Sequence, residues 1–369
     1  MDTHEPVDAG VDAGGDDDAP RVPPGRLTVP LPEGEPIEAP EGEWTWVDFP
    51  ETRCMDDSPT GLGIKLNPGS DKLLVVIQGG GVCFNATTCL AVSNPDGFSR
   101  AALEPLTGVG LLDAADPENP FAGWNHVFIP YCSGDIFSGS AREGSGYEGR
   151  TQQGYRNIRE YLTRLVPTFD DPAHIVLSGY SAGGFASTAN WVQAIEAWQD
   201  VRIDVLNDSG PPMGSDYLTP CLQRRLAESW AWGEAIPPDC TECDVEGGGV
   251  IEPMVRWSIQ HTRMYRHALI SSTEDRIIKT FFGFGLSGCT RVDSLPSPFP
   301  EGLFPQGLLE LNELFADHPG ARAYVIESPE HIWTQVSPGS VTSEGVTLSD
   351  WIRDFLDPDS DWQDVIPEI

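Results

Sequence analysis

Lysine is nearly absent: Lys65, Lys72 and Lys279 stand beside 19 arginines in a chain of 369 residues. Basic charge as a whole is scarce, with 22 Lys and Arg against 57 Asp and Glu, a formal −35 at pH 7. So acidic a surface repels phosphate backbones and anionic headgroups, which excludes nucleic acid and acidic membranes as expected partners. Apolar runs are short. None approaches the roughly 18 residues of a bilayer-crossing helix, so no membrane span is expected. No internal repeat is visible either, which removes solenoids and propellers.

Cysteine, by contrast, is present as an even set of eight, all after residue 53. In an acidic, lysine-poor chain this pattern favours disulfides and an oxidising, extracytoplasmic compartment. Cys240-x-x-Cys243 has the inner spacing of half a zinc site. No second C-x-x-C or H-x3–5-H follows at zinc distance, so neither a metal nor a cofactor is expected. The pairing among Cys221, Cys240, Cys243 and Cys289 stays open between three connectivities.

Residues 1–43 hold 12 acidic and 2 basic side chains, −10, leaving −25 for the rest. Without an aromatic residue and rich in Gly and Pro, they read as a disordered acidic linker that could tether the domain at 44–369. Met1 is followed at once by acidic residues and no leader is visible, which suits a mature secreted protein and a natural cytoplasmic start alike, so the expected compartment rests on the cysteines. From Trp44 onward, apolar runs alternate with helical patterns. The runs are 73–77, 127–131, 175–178, 203–206, 267–271 and 323–326; the helices are 151–165, 184–198, 251–262, 307–316 and 348–356. Strands buried on both faces and separated by helices predict a mostly parallel sheet with helices on both sides, an α/β fold. The Gly/Pro-rich stretches 133–150 and 211–250 are too long for simple loops and are expected to wall or lid a site.

One stretch carries chemistry. Ile175-Val176-Leu177 runs into Gly179-Tyr180-Ser181-Ala182-Gly183, and a helix follows. This is the order of a nucleophile elbow, a sharp strand-to-helix turn that lifts one serine above the sheet edge. A serine hydroxyl needs a base to take its proton and an acid to orient that base. His331, just past the last strand, stands where the base belongs. Asp275 follows the 267–271 strand and is the first choice of acid; its neighbour Glu274 and the earlier Asp208 remain alternatives. Gly79-Gly80-Gly81, directly after the 73–77 strand, occupies the place of the glycine loop that builds an oxyanion hole. No G-K-[ST] follows it, which argues against a phosphate cradle.

Taken together, these pieces resemble the pectin acetylesterase and Notum family of α/β-hydrolase carboxylesterases. The matching stretches are Gly79 to Asn85, Pro130 to Gly139, Gly179 to Gly184 and Asn207 to Gly210, in order, from about residue 46 to about 336. The resemblance implies Ser181 as nucleophile, Asp275 as acid and His331 as base, with Gly80, Gly81 and Ala182 donating to the oxyanion. It also implies the disulfides Cys83–Cys89 and Cys54–Cys132. Two departures alter the pocket wall: Gly81-Val82 replaces the aromatic usually found there, and no cysteine precedes His331.

The resulting expectation is a secreted, monomeric serine esterase that removes O-acetyl groups from a carbohydrate. A body of −25 repels polygalacturonate unless Arg142, Arg150 or other arginines line the cleft, so a neutral glycan or small acetyl ester is the expected partner. The alternatives are a lipid, acyl-protein or polyester esterase with the same triad, and a catalytically silent relative serving as a binding module.

Overall fold

The computed structural model describes residues 31–261, 265–316 and 318–368. Eight strands form one sheet: β1 (Thr45–Phe49), β2 (Thr60–Lys65), β3 (Lys72–Ile77), β4 (Asn125–Ile129), β5 (His174–Tyr180), β6 (Ile203–Asp208), β7 (His267–Ser272) and β8 (Ala321–Ile326). Their spatial order is β1-β2-β4-β3-β5-β6-β7-β8. β1 and β2 pair antiparallel, and β4 through β8 are parallel, with Ile77 opposite Gly179 and Tyr180 opposite Asp208. This is the α/β-hydrolase arrangement.

The near-continuous apolar strands follow from burial on both faces. Along β3, Leu73, Val75 and Ile77 enter one hydrophobic layer, whereas Leu74 and Val76 enter the other. The larger layer packs under α3 (Gly154–Thr168), α5 (Trp191–Ala197), α6 (Pro220–Trp230), α7 (Ile251–His261) and α9 (Leu303–Ala316). The other is closed by Trp351, Ile352 and Phe355 of α10 (Leu348–Leu356) and by Trp362. Short α1 (Ala86–Cys89) and α2 (Arg100–Leu103) sit in the β3–β4 connection, while α4 (Ala182–Ala189) and α8 (Arg276–Gly283) follow β5 and β7.

The expected strands and parallel sheet are found, with three differences. The single helix anticipated over 184–198 is two, α4 and α5. They part at Asn190, whose side-chain amide donates to the carbonyls of Phe137 and Ala186 and so turns the chain. The 211–250 stretch holds the three-turn α6, begun by Pro220, which suits a first helical turn because it needs no N–H there. The linker does not reach residue 43. Gly34 N–H donates to Thr163 O at 2.9 Å, Ile37 N–H to Thr168 Oγ1 at 2.7 Å, and Ile37 is 4 % exposed. Ile37 supplies the apolar anchor that the acidic composition concealed. Residues 1–30 lie outside the described residues.

All eight cysteines are paired: Cys54–Cys132, Cys83–Cys89, Cys221–Cys289 and Cys240–Cys243. Four disulfides fit an extracytoplasmic protein. Among the described residues, no helix is long and apolar enough to cross a membrane.

Candidate active site

Ser181 sits between β5 and α4 with φ 56° and ψ −122°. A serine pays for this left-handed backbone only where the surroundings enforce it, and here glycine spacing does. A Cβ on Gly179 would lie 2.0 Å from Gly183 O, and one on Gly183 would lie 2.0 Å from Ile77 O. The elbow therefore closes only with glycine at both ends of the pentad. Ser181 N–H donates to Asp208 O at 2.8 Å, tying the turn to the end of the neighbouring strand.

The three candidate carboxylates differ in side-chain direction. Asp275 caps α8: its Oδ1 accepts from Ile277 and Ile278 N–H at 2.9 Å each. Its Oδ2 faces His331 Nδ1 at 2.7 Å. One buried carboxylate thus orients the imidazole and is itself held by two main-chain donors. Glu274 instead pairs with Lys279. Asp208, fully buried, uses Oδ2 to accept from Trp333 N–H, Thr334 N–H and Thr334 Oγ1, each at 2.8 Å. Burial pushes its carboxyl above the usual carboxylate range, against these bonds and one from Ser209. Ser209 also donates to the His331 carbonyl. Asp208 and Ser209 therefore hold the loop that carries His331, a role not visible in the sequence beyond the Asn207-Asp208-Ser209-Gly210 run.

His331 Nε2 is buried and makes no hydrogen bond among the described residues. Ser181 and His331 are therefore not hydrogen-bonded to each other in this conformation. Ser181, Gly81 and Ala182 line one cavity together. Among the described residues, the N–H groups of Gly80, Gly81 and Ala182 donate to no main-chain carbonyl. The glycine loop is braced on both sides. Ser93 N–H donates to Gly80 O at 2.8 Å, and Cys83 O accepts from Gln152 Nε2 at 2.8 Å and Trp230 Nε1 at 2.7 Å. Below it, buried Asp135 ties the 130–139 loop to the start of α3 through Gly154 N–H at 2.6 Å.

The cavity itself is apolar and has a volume of about 50 Å³. Leu222, Leu226 and Trp230 face it from α6, and Ile278, Phe281 and Phe282 from α8. Their i, i+4, i+8 and i, i+3, i+4 spacings each put one helical stripe toward the serine. The α6 stripe was available in the sequence, hidden inside a segment that its glycines and prolines mark as loop. Arg142 lines a separate polar cleft with Glu143 and Arg156, and Arg150 pairs with Glu148.

Residues 43–218 match the family model described as pectinacetylesterase. A palmitoleoyl-protein carboxylesterase notum2 of Xenopus laevis is 32% identical over 219 residues, covering 51% of this chain and 43% of that relative. The palmitoleoyl-protein carboxylesterase NOTUM of Homo sapiens is 33% identical over 170 residues, 42% of this chain and 34% of that relative. A Danio rerio relative named an inactive palmitoleoyl-protein carboxylesterase, notum1b, is 41% identical over 92 residues, 24% of this chain and 66% of its own length. The chain therefore spans less than half the length of the first two.

Proposed function

Since residues 43–218 place the chain in the pectin acetylesterase and Notum family, we propose that it is a serine ester hydrolase working through an acyl-enzyme. Ser181 Oγ attacks the ester carbonyl while His331 Nε2 takes its proton, and Asp275 steadies the resulting imidazolium. The oxyanion is held by the N–H groups of Gly80, Gly81 and Ala182. As the tetrahedral intermediate collapses, His331 returns the proton to the departing alcohol. Water, deprotonated by His331, then attacks the acyl-enzyme and frees the acid and the serine.

The observation that carries the substrate class is the apolar cavity at Ser181. An acetyl group needs only a shallow pocket, and aromatic and aliphatic side chains on two helices would be left facing water around it. Such a lining supports a longer acyl chain, where each buried CH₂ contributes about 0.8 kcal/mol. The lipid or acyl-protein alternative is therefore favoured over the O-acetyl carbohydrate that the resemblance implied. The relatives' names as palmitoleoyl-protein carboxylesterases weigh in the same direction. Arginines that would attract a polyuronate line another cleft, which weighs against that substrate.

A panel of p-nitrophenyl esters from acetate to palmitate tests the reading, with acetylated xylan alongside. kcat/KM is expected to rise beyond acetate and peak at a medium or long chain. Acetate as the best ester, together with acetate release from the polymer, would restore the carbohydrate reading. A fluorophosphonate probe should label Ser181; absence of labelling together with absence of turnover would favour a silent binding module.

A further inference from the structure

On the reading above, two of the oxyanion donors, Gly80 and Gly81, belong to a run of three consecutive glycines. Glycine restricts φ and ψ least of all residues, so such a run cannot fix the direction of its own N–H groups. Neighbours must impose it. The loop passes between two walls. A Cβ on Gly79 would lie 2.7 Å from Ser181 Cβ, whereas one on Gly80 would lie 2.8 Å from Ser93 Cβ and 2.9 Å from the Tyr131 ring. Ser181 thus stands on one side, with Ser93 and Tyr131 on the other.

From that far side, Ser93 N–H donates to Gly80 O at 2.8 Å. The carbonyl belongs to the Gly80–Gly81 peptide, and in a trans peptide the C=O and N–H point in opposite directions. Gly81 N–H is therefore turned toward the serine's side, where Gly81 and Ser181 line one cavity.

The next residue holds Ser93 in place. Asn94 is half-buried at φ 55°, in the left-handed region that asparagine tolerates better than most side chains. Its Nδ2 donates to Tyr131 O at 3.2 Å and, in a longer contact, to Gln78 Oε1 at 3.4 Å. Gln78 Oε1 also accepts from Tyr131 N–H at 2.9 Å, and Gln78 N–H donates to Ile129 O at 2.9 Å. Two side-chain amides thereby satisfy both main-chain groups of the buried Tyr131 and fasten the 93–94 turn to the end of β4.

We propose that Asn94 is a positioning residue of the oxyanion hole: its amide, through Ser93 N–H, sets the Gly80–Gly81 peptide and so aims Gly81 N–H at the oxyanion. This rests on the ester-hydrolase reading above and adds to it a residue outside every catalytic motif. Because the donor is a main-chain group, no substitution can delete it at Gly81 itself, and Asn94 is the side chain through which its direction can be altered.

The test compares the unmodified protein with N94G and N94D, with kcat counted per serine titrated by a fluorophosphonate so that unfolded protein does not enter. Glycine suits φ 55° and deletes only the amide; aspartate keeps the size but has no donor. Each variant should lower kcat by about ten- to a hundredfold, at or below the roughly 10²–10³ lost when a whole oxyanion donor is removed. KM for p-nitrophenyl butyrate should stay nearly unchanged, because the oxyanion forms only after binding. Propyl trifluoromethyl ketone supplies the second readout. Ser181 Oγ bonds to its carbonyl carbon, the serine proton passes to His331, and the carbonyl oxygen carries the negative charge with no group leaving. Its affinity should fall by the same factor as kcat/KM. Unchanged kcat in both variants overturns the proposal and leaves the hydrolase reading intact. A lower kcat with undiminished ketone affinity, or a loss confined to KM, overturns it as well, since the damage would then lie away from the oxyanion. An unmodified protein with neither fluorophosphonate labelling nor ester turnover sinks the hydrolase reading and this proposal with it.

Discussion

Asp208 Oδ2 accepts both the main-chain N–H and the hydroxyl of Thr334, each at 2.8 Å. The carboxylate at the end of β6 is thereby bonded to the loop that carries His331, three residues earlier. Replacing Asp208 by alanine strands three donors, and each buried unmade bond costs roughly 1–3 kcal/mol. D208A should lower both melting temperature and kcat sharply. D208N keeps one carbonyl oxygen for those donors and should be much milder. If D208N damages kcat much more than D275N does, Asp208 and not Asp275 is the acid.

Ser181, His331 and Asp275 should behave as one unit. S181A and H331A are expected to lower kcat by on the order of 10⁶, and D275N by one to two decades less. Asp275 also caps α8, so D275A should lose stability by about 1 kcal/mol as well. Melting curves for S181A should match the unmodified protein. Residual turnover within tenfold in S181A would remove the serine from the mechanism.

Stability should fall in acid through two buried histidines. Burial lowers His126 to about 4 and His267 to about 3, from 6.5 in an open chain. Their folded pKa values lie below the unfolded one, so the unfolded chain binds more protons below pH 6.5. The stabilisation is complete above that pH and is lost as pH falls toward 4 and then 3. For His126 it amounts to about 3 kcal/mol. The gap in melting temperature between the unmodified protein and H126N is expected to be widest at pH 7 and to narrow by pH 4. A gap independent of pH would mean His126 is not held neutral by the fold.

The four disulfides should not be equivalent. Cys54–Cys132 and Cys221–Cys289 close separations of 78 and 68 residues, whereas Cys83–Cys89 and Cys240–Cys243 close only 6 and 3. In the chain-entropy account the long loops contribute about 4–5 kcal/mol and the short ones about 2. Serine pairs at 54/132 or 221/289 should therefore lower melting temperature more than pairs at 83/89 or 240/243. Non-reducing peptide mapping should recover these four pairs, and any other connectivity contradicts the fold described.

Two truncations separate the acidic segment from its anchor. Removal of residues 1–30 is expected to leave melting temperature and kcat unchanged, since that composition buries little apolar surface. Removal of residues 1–40 takes away Ile37 and its bond to Thr168, and should cost roughly 1.5–3 kcal/mol more. Equal melting temperatures for the two truncations would show that the 31–40 segment contributes nothing to the body.

What the sequence determined by itself is local. The elbow is legible because Gly179 and Gly183 answer to steric conflicts within a few residues of Ser181 and with the adjacent strand end. The central strands are legible because burial on both faces leaves continuous apolar runs. Two of the disulfides follow from the family resemblance, and His331 from its place after the last strand. The tertiary structure alone decided the rest. Asp275, Glu274 and Asp208 are all carboxylates at strand ends. Only the cap of α8, the Lys279 pair and the Trp333–Thr334 bonds show which one points at the imidazole. The apolar cavity at Ser181 is likewise invisible along the chain, because its lining comes from α4, α6 and α8, which the sheet order brings together across a hundred residues. Direction and convergence of side chains are properties of packing, and spacing along one chain does not encode them.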